Sequence, residues 1–435
     1  MSPQLDDIAF RAKAQPAARF TALAHHLTEE FLEDTWQGLN HRGAPGLSGE
    51  TMETYGRQRG RRIAALVSRL KARGYRVPPV RRVYIPKPGQ PAKRRPLGIL
   101  EVEDRLLLAA VSRLLSAIYE ADFLEESYGF RPGRSAHDAL AAVEEAVTRR
   151  PMQWVFEADI RGFFDHLQHD WLMTMLAERV GDPGILRLIQ KWLHAPIVEP
   201  DGSRTTPTEG APQGGPLSPL LGNVYLHYVL DLWFKKAIQP VCRGEAQLVR
   251  YADDFLVLFA REDDARRFAT ALPKRLAKFG LELAEEKTRL MPFGWRAWRA
   301  AEDRGLPSER FDFLGFRHFG ARTSTGVWRL QRRPTPKSRH KFLLQTKSEL
   351  HRLMHASVLA QQQYLSRALR GFFGYFGLPG CSQALKTLRL QVLYAWIQVL
   401  RRRSQRSHRS KSWYYSQRWF WVPPAKLRPR RMMAR

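Results

Sequence analysis

Asp253 and Asp254 stand side by side in Tyr251-Ala252-Asp253-Asp254, between Leu248-Val249 and Phe255-Leu256-Val257-Leu258-Phe259. Apolar runs around a short polar break read as two strands joined by a tight turn. A second stretch, Trp154-Val155-Phe156-Glu157-Ala158-Asp159-Ile160, reads as a strand delivering Asp159 to the same end of a sheet. An unpaired carboxylate in a dry site is costly, so acids carried on apolar strands imply a counter-charge. Oxygen-only donors suit a hard divalent cation, Mg²⁺ first, with Mn²⁺ as a substitute. Two such ions roughly 4 Å apart form a clamp for in-line phosphoryl transfer. The candidate catalytic residues are Asp159, Asp253 and Asp254, and Ile160 joins them as a candidate metal contact. Either segment alone reads equally as an ordinary strand end, where Asp is common in turns.

Composition points to a polyanionic partner. Across 435 residues, 71 Lys and Arg against 42 Asp and Glu leave a net charge of +29. Nucleic acid is the first candidate for such an excess. An anionic membrane surface is second, but no amphipathic stretch stands out as an anchor. The two cysteines, Cys242 and Cys381, are too far apart to suggest a disulfide framework or a zinc site. Residues 1–13 lack the apolar core of a signal peptide, and no apolar run approaches the ~20 residues of a membrane span. The expectation is a soluble, cytoplasmic protein without a membrane partner, on the nucleoid when bound to DNA.

The elements that must position the acids follow from periodicity. Residues 1–75 look helical, interrupted by His41-Arg42-Gly43-Ala44-Pro45-Gly46-Leu47-Ser48-Gly49. That loop is either a plain connector or one that brings Arg42 to phosphate. Residues 80–99 alternate basic and apolar residues around a turn and read as a hairpin. Its Lys87 and Arg95 could hold a triphosphate, or the hairpin is a solvated basic edge. A helix over 101–121 precedes Tyr128-Gly129-Phe130-Arg131-Pro132-Gly133-Arg134-Ser135, where Ser135 is a plausible N-cap. Arg131 and Arg134 sit where phosphate could rest on the helix start. Ile197 to Thr206 read as a hairpin, and Pro212-Gln213-Gly214-Gly215 leads into an apolar helix from Leu217 to Phe234. Phe311 to Phe316 read as a strand. From about 334 the pattern is helical, over roughly 338–356, 358–376 and 381–402. Residues 401–435 carry twelve Lys and Arg and no acid, interleaved with aromatics. This is the composition of a nucleic-acid contact, and Arg401, Arg402 and Arg403 open it.

The order of these motifs resembles the reverse transcriptase/maturase proteins encoded by bacterial group II introns, from about Phe20 to Arg403. The carriers are Gly43-Ala44-Pro45-Gly46, Arg95-Pro96-Leu97-Gly98-Ile99, Tyr128-Gly129-Phe130-Arg131-Pro132 and Asp159-Ile160-Arg161-Gly162-Phe163-Phe164-Asp165. Pro212-Gln213-Gly214-Gly215, Tyr251-Ala252-Asp253-Asp254, Glu286-Lys287-Thr288, Phe313-Leu314-Gly315 and Leu369-Arg370-Gly371 with Tyr375-Phe376 continue the series. The resemblance implies an α+β right-hand polymerase, with fingers, an antiparallel palm sheet and a helical thumb. It implies a fingers extension at 1–79, fingers at 80–150 and a palm at 151–330 with an insertion near 170–210. A thumb/maturase domain at 331–402 and a basic aromatic tail at 403–435 complete it.

The resemblance further implies RNA-templated DNA synthesis and help with splicing of the intron RNA. The expected partners are that RNA, a DNA primer or target, and deoxynucleoside triphosphates. Asp159, Asp253 and Asp254 would hold two Mg²⁺ ions. Phe164, with Phe163 before it, would be the gate that rejects a 2′-hydroxyl. Gln213 and Gly214 would line nucleotide and template, and Lys287 would sit near pyrophosphate or be a surface lysine after a turn. Tyr251, Arg370 and Gly371 would contact nucleic acid. Two departures stand out: Ser48 replaces the acid often found there, and nothing after the thumb resembles the family's C-terminal endonuclease, so another primer source is expected. The rivals are a splicing factor that no longer polymerises and a host-adopted reverse transcriptase serving defence or repair. Monomer and dimer are equally open.

Overall fold

The computed structural model describes residues 3–87, 90–212, 214–323, 326–403 and 409–427. Helices alternate with mainly antiparallel sheets, an α+β architecture. The chain forms two compact units, the first mainly residues 3–139 and 156–290, the second mainly 140–155 and 291–427.

The acids lie on a four-stranded sheet whose strands run in the order Ala246–Tyr251, Asp254–Phe259, Trp154–Asp159 and Arg289–Pro292. The first two form a hairpin, with Ala246 opposite Phe259 and Tyr251 opposite Asp254. Only Ala252 and Asp253 remain for the turn, and Ala252 takes a left-handed φ of 57°. Phe255 to Phe259 are all buried, as a strand covered on both faces requires. Phe268 on the helix Glu262–Ala277 closes one face, its ring 5.4 Å from Phe156 and 5.5 Å from Phe259.

A second sheet joins Gln90–Ile99, Val80–Lys87, Ile197–Val198 and Arg204–Thr205 in that order. Val80–Lys87 and Gln90–Ile99 are neighbours, Ile197–Val198 pairs antiparallel with Arg204–Thr205 as expected, and Val80–Lys87 pairs in parallel with Ile197–Val198. Local pattern gave no hint of that pairing, because parallel partners are distant in sequence. The glycine-rich loop at 43–49 is docked. Ser48 donates through its backbone N and its Oγ to the Glu101 carboxylate, and Arg81 donates to the Pro45 carbonyl at 2.6 Å.

The N-terminal segment is fastened the same way. The Asp182 carboxylate accepts from the backbone N–H groups of Leu23, Ala24, Gly184 and Ile185. Those bonds outweigh burial and hold its carboxyl below the usual range. Arg179 donates to the carbonyls of Ala12, Gln15, Pro16 and Ala18, and Phe20 bridges Val180 in parallel.

The expected helix from Leu217 to Phe234 is α-helical only over Ser218–Leu226. It then widens into π-turns at His227–Asp231 and Phe234–Ile238. Such widening re-aims side chains at functional positions, and Asp231 is one that it re-aims.

In the helix Val102–Tyr119, Asp104 is buried and accepts from the Tyr75 hydroxyl. Burial pushes its carboxyl up to about 7. A folded-state pKa above the unfolded value means the native state binds the extra proton. That stability is full below about pH 4 and is lost as pH rises through about 7. Asp104→Asn is therefore expected to melt higher than wild type at pH 8, with the gap closing toward pH 5. Melting curves of both proteins across that range check it.

In the second unit, Arg310–Phe313, Phe316–Arg322 and Trp328–Pro334 form an antiparallel sheet centred on Phe316–Arg322. The sequence showed one strand, Phe311 to Phe316. The structure turns sharply at Leu314 and Gly315, both with positive φ. The later strands escaped notice because Arg317, Arg322, Arg329, Arg332 and Arg333 obscure their alternation. Helices Pro336–Arg352, Val358–Phe376 and Ser382–Arg401 follow. The stretch 409–427 packs back on the last of them. Phe420 stacks on Trp396 at 4.7 Å, Val422 is fully buried, and Arg389 donates to the Val422 carbonyl at 3.0 Å. No helix among the described residues is long and apolar enough to cross a membrane.

Candidate active site

The hairpin turn and the end of Trp154–Asp159 bring the three aspartates within reach of one another's charge. Burial first, then the charges of Asp159 and Asp253, push the Asp254 carboxyl up to about 7. Asp253 is raised as well, by burial first, with Asp159 adding to it and Arg95 and Lys287 opposing. Lys287, at the end of the short turn Glu285–Lys287, donates from Nζ to Asp159. That bond raises its own pKa and fixes it as an ammonium. The strand carrying Asp159 is tied to the Lys287 segment, since Ala284 N donates to the Asp159 carbonyl and Arg161 N to the Glu282 carbonyl, each at 2.8 Å. Ile160 is buried and offers no side-chain donor atom.

This donor set fits a divalent cation. Hard oxygens crowd at a half-buried turn where burial, and then the charge of Asp159, raise the carboxyls of Asp253 and Asp254, which a multivalent cation relieves. As arranged, no three acidic, His or Cys side chains among the described residues stand close enough to ligate one ion, and Asp159 is engaged by Lys287.

Beyond the acids lies an aromatic wall. Phe163 is buried and Phe164 half-buried, their rings edge-on at 5.0 Å. Gly222 makes room for both, because a Cβ there would stand 3.0 Å from Cε1 of each ring. The Gly214 Cβ would stand 3.0 Å from the Gly98 carbonyl, and its φ is 109°, so the loop before Ser218–Leu226 presses against the strand Gln90–Ile99. Arg95 is exposed on that strand, and its charge reaches Asp253.

Residues 85–318, more than half of the chain, match the family described as reverse transcriptase (RNA-dependent DNA polymerase). The chain belongs to the reverse transcriptase family. Protein YkfC of Escherichia coli K12 is 33% identical over 282 residues, covering 57% of this chain and 72% of its own. The group II intron-encoded protein LtrA of Lactococcus lactis subsp. cremoris is 38% identical over 224 residues, 50% of this chain. An uncharacterised 91 kDa protein in the cob intron of Schizosaccharomyces pombe is 35% identical over 165 residues, 38% of this chain. The match spans only 36% of LtrA and 20% of the fission yeast protein.

In this reverse transcriptase, the other residues singled out by sequence divide by environment. Arg131 is not presented to phosphate. It is buried, paired with Glu120 at 3.0 Å, and donates to the carbonyls of Leu124 and Ser127. The expectation failed because this arginine must satisfy a buried loop backbone. Arg134 is partly exposed over the Tyr128 ring and donates to the Glu125 carbonyl. Arg42 is exposed. Tyr251 is half-buried, 6.3 Å from the ring of Phe130, which is 59% exposed on a left-handed backbone. Gln213 and the side chain of Lys87 lie outside the described residues.

In the second unit Arg370 and Gly371 are exposed on the helix Val358–Phe376. Arg401 and Arg403 donate to the backbone carbonyls of Arg409 and Ala356, which leaves Arg402 as the more exposed of the three.

Sequence reasoning passed over Gly222, Arg250 and Asp231. A lone Arg250 inside Leu248-Val249-Arg250 was a usable signal, since a charge within an apolar strand demands a buried partner.

Lys287→Ala is expected to lower kcat/KM for nucleotide addition about 100-fold, the effect of removing a positioned proton donor or charge. Lys287→Arg should recover part of it. Steady-state primer extension by the three proteins measures this.

Proposed function

We propose that this chain is an RNA-directed DNA polymerase of the group II intron type, which copies intron RNA into cDNA and assists splicing and mobility by binding that RNA. The observation that carries the polymerase reading is the convergence of Asp159, Asp253 and Asp254 at one end of the sheet, with Lys287 bonded to Asp159. The likeness to LtrA and the net charge of +29 support the intron RNA as template and partner.

In this reading the primer 3′-oxygen attacks the α-phosphate of a deoxynucleoside triphosphate and pyrophosphate leaves. Asp159, Asp253 and Asp254 would hold Mg²⁺, or Mn²⁺ in its place, and the cation would supply positive charge to the phosphoryl-transfer centre. Arg95 and Lys287 face the phosphates, with Lys287 neutralising or protonating the leaving group. Phe164, backed by Phe163, closes the space a 2′-hydroxyl would need. Gln213, Gly214 and Lys87 complete the nucleotide contacts. Arg42, Arg134, Tyr251, Arg370, Gly371 and Arg402 touch nucleic acid, mainly its phosphates and shape.

The test is extension of a DNA primer on an RNA template with deoxynucleotides and Mg²⁺, alongside splicing of the intron RNA encoded around the gene. Deoxy-selective extension and faster splicing are expected, with RNA affinity falling steeply as salt rises. A folded protein that binds RNA but never extends a primer overturns the polymerase reading. Absence of an intron RNA fold in the flanking DNA overturns the splicing role.

A further inference from the structure

Directly beneath the acid turn lies an arginine with no access to solvent. Arg250 is 0% exposed, and so is its partner Asp231. The pair is a fork: Nε donates to Oδ1 at 2.7 Å and Nη2 to Oδ2 at 2.6 Å. The remaining donors are also used. Nη1 donates to Asn223 Oδ1 and to the Ala252 carbonyl, both at 2.9 Å, and Nη2 to Ser127 Oγ at 2.7 Å. Five bonds exhaust a guanidinium's five N–H groups.

The bond to Ala252 falls on the one non-glycine residue of the turn held at left-handed φ. Such a conformation persists only where its surroundings over-determine it. Here the surroundings press from a second side. Gly129 lies so close that a Cβ on it would stand 2.4 Å from Ala252 N. Gly129 is itself held by Asn223 Nδ2, which donates to its carbonyl at 2.7 Å. The Arg250 backbone closes the ring, accepting from Tyr128 N and donating to the Glu126 carbonyl, each at 2.8 Å. Asp231 reaches the guanidinium from the π-turn His227–Asp231.

A buried ion pair is weak evidence for stability, because apolar residues of similar volume often replace it without loss. What apolar residues could not supply is the bond to the Ala252 carbonyl. We propose that Arg250 is a positioning residue for nucleotide addition: braced by Asp231, Asn223 and Ser127, it fixes the left-handed Ala252 and thereby the direction in which Asp253 and Asp254 point. The proposal rests on the polymerase reading of those acids.

The test compares wild type, Arg250→Lys and the double variant Arg250→Met/Asp231→Leu, which leaves no lone buried charge. Melting temperature, primer–template affinity, and kcat and KM for deoxynucleotide are measured for each. The double variant is expected to melt close to wild type and to keep its primer–template affinity and KM. Its kcat should fall about 100-fold, the scale of a small misplacement of reacting groups. Arg250→Lys keeps a charge for Asp231 but loses the fork, and the same kcat loss is expected. Should the double variant fail to fold, Asn223→Ala leaves the ion pair intact and frees Gly129, and a kcat-only loss is expected from it. A folded double variant, or failing that a folded Asn223→Ala, with wild-type kcat overturns the proposal. Absence of extension by wild type itself would instead sink the polymerase reading, so the two failures are distinguishable.

Discussion

Replacing Asp253 and Asp254 together by Ala is expected to abolish DNA synthesis while leaving RNA binding in place. At 1.36 kcal/mol per tenfold, about 4 kcal/mol of lost charge stabilisation already lowers the rate roughly 10³-fold. The fold should tolerate the change. Both carboxyls are raised mainly by burial, so their charged forms are disfavoured where they stand, and removing them relieves repulsion with Asp159. The double variant should therefore melt at or above wild type. Primer extension, filter binding of intron RNA and thermal melting, run on the same preparations, give the three readouts. Loss of RNA binding or of splicing help by a folded variant would show that synthesis and RNA recognition are not separable. A variant that still extends primers would remove these acids from the chemistry.

The second large effect is expected at the ribose. Phe164→Ala should raise kcat/KM for ribonucleotides about 100-fold relative to deoxynucleotides, the size of discrimination a fitted pocket achieves against one small group. Gly222→Ala should act in the opposite direction. Its Cβ would press on both rings, and Phe163 is fully packed, so the half-buried Phe164 ring must give way toward the substrate. Deoxynucleotide addition should slow while ribonucleotides remain excluded. Single-turnover incorporation of dCTP against CTP by the two variants checks both signs. If Phe164→Ala leaves the preference unchanged, the gate lies elsewhere.

The acid turn was legible because its grammar is local: apolar strand, two acids, apolar strand, with Asp159 repeating the pattern. The hairpins at 80–99 and 197–206 were legible for the same reason. What stayed hidden required knowing which distant segments meet. Arg131 looked like a phosphate contact beside a helix start, yet the carbonyls of Leu124 and Ser127 capture it. Arg250 drew no reading in its strand, because its partner Asp231 arrives from a π-turn that helical periodicity does not reveal. The strands Phe316–Arg322 and Trp328–Pro334 were masked by arginines whose alternation carries charge in place of polarity. Gly222 gave no signal, because a glycine that makes room for a ring is indistinguishable in sequence from one that does not.

The fastening of the N-terminal segment by Arg179 and Asp182 also dictates an order of assembly. The carbonyls of Ala12 to Ala18 and the amides of Leu23 and Ala24 find these partners about 160 positions later in the chain. During vectorial synthesis this segment leaves the ribosome before its partners and must wait for them. Closing so long a loop is entropically unfavourable and slow. The helix Pro3–Ala14 is thus made before its partners and locked late. While it waits, its apolar side chains Leu5 and Ile8, buried in the finished protein, are open to chaperones or to a neighbouring nascent chain.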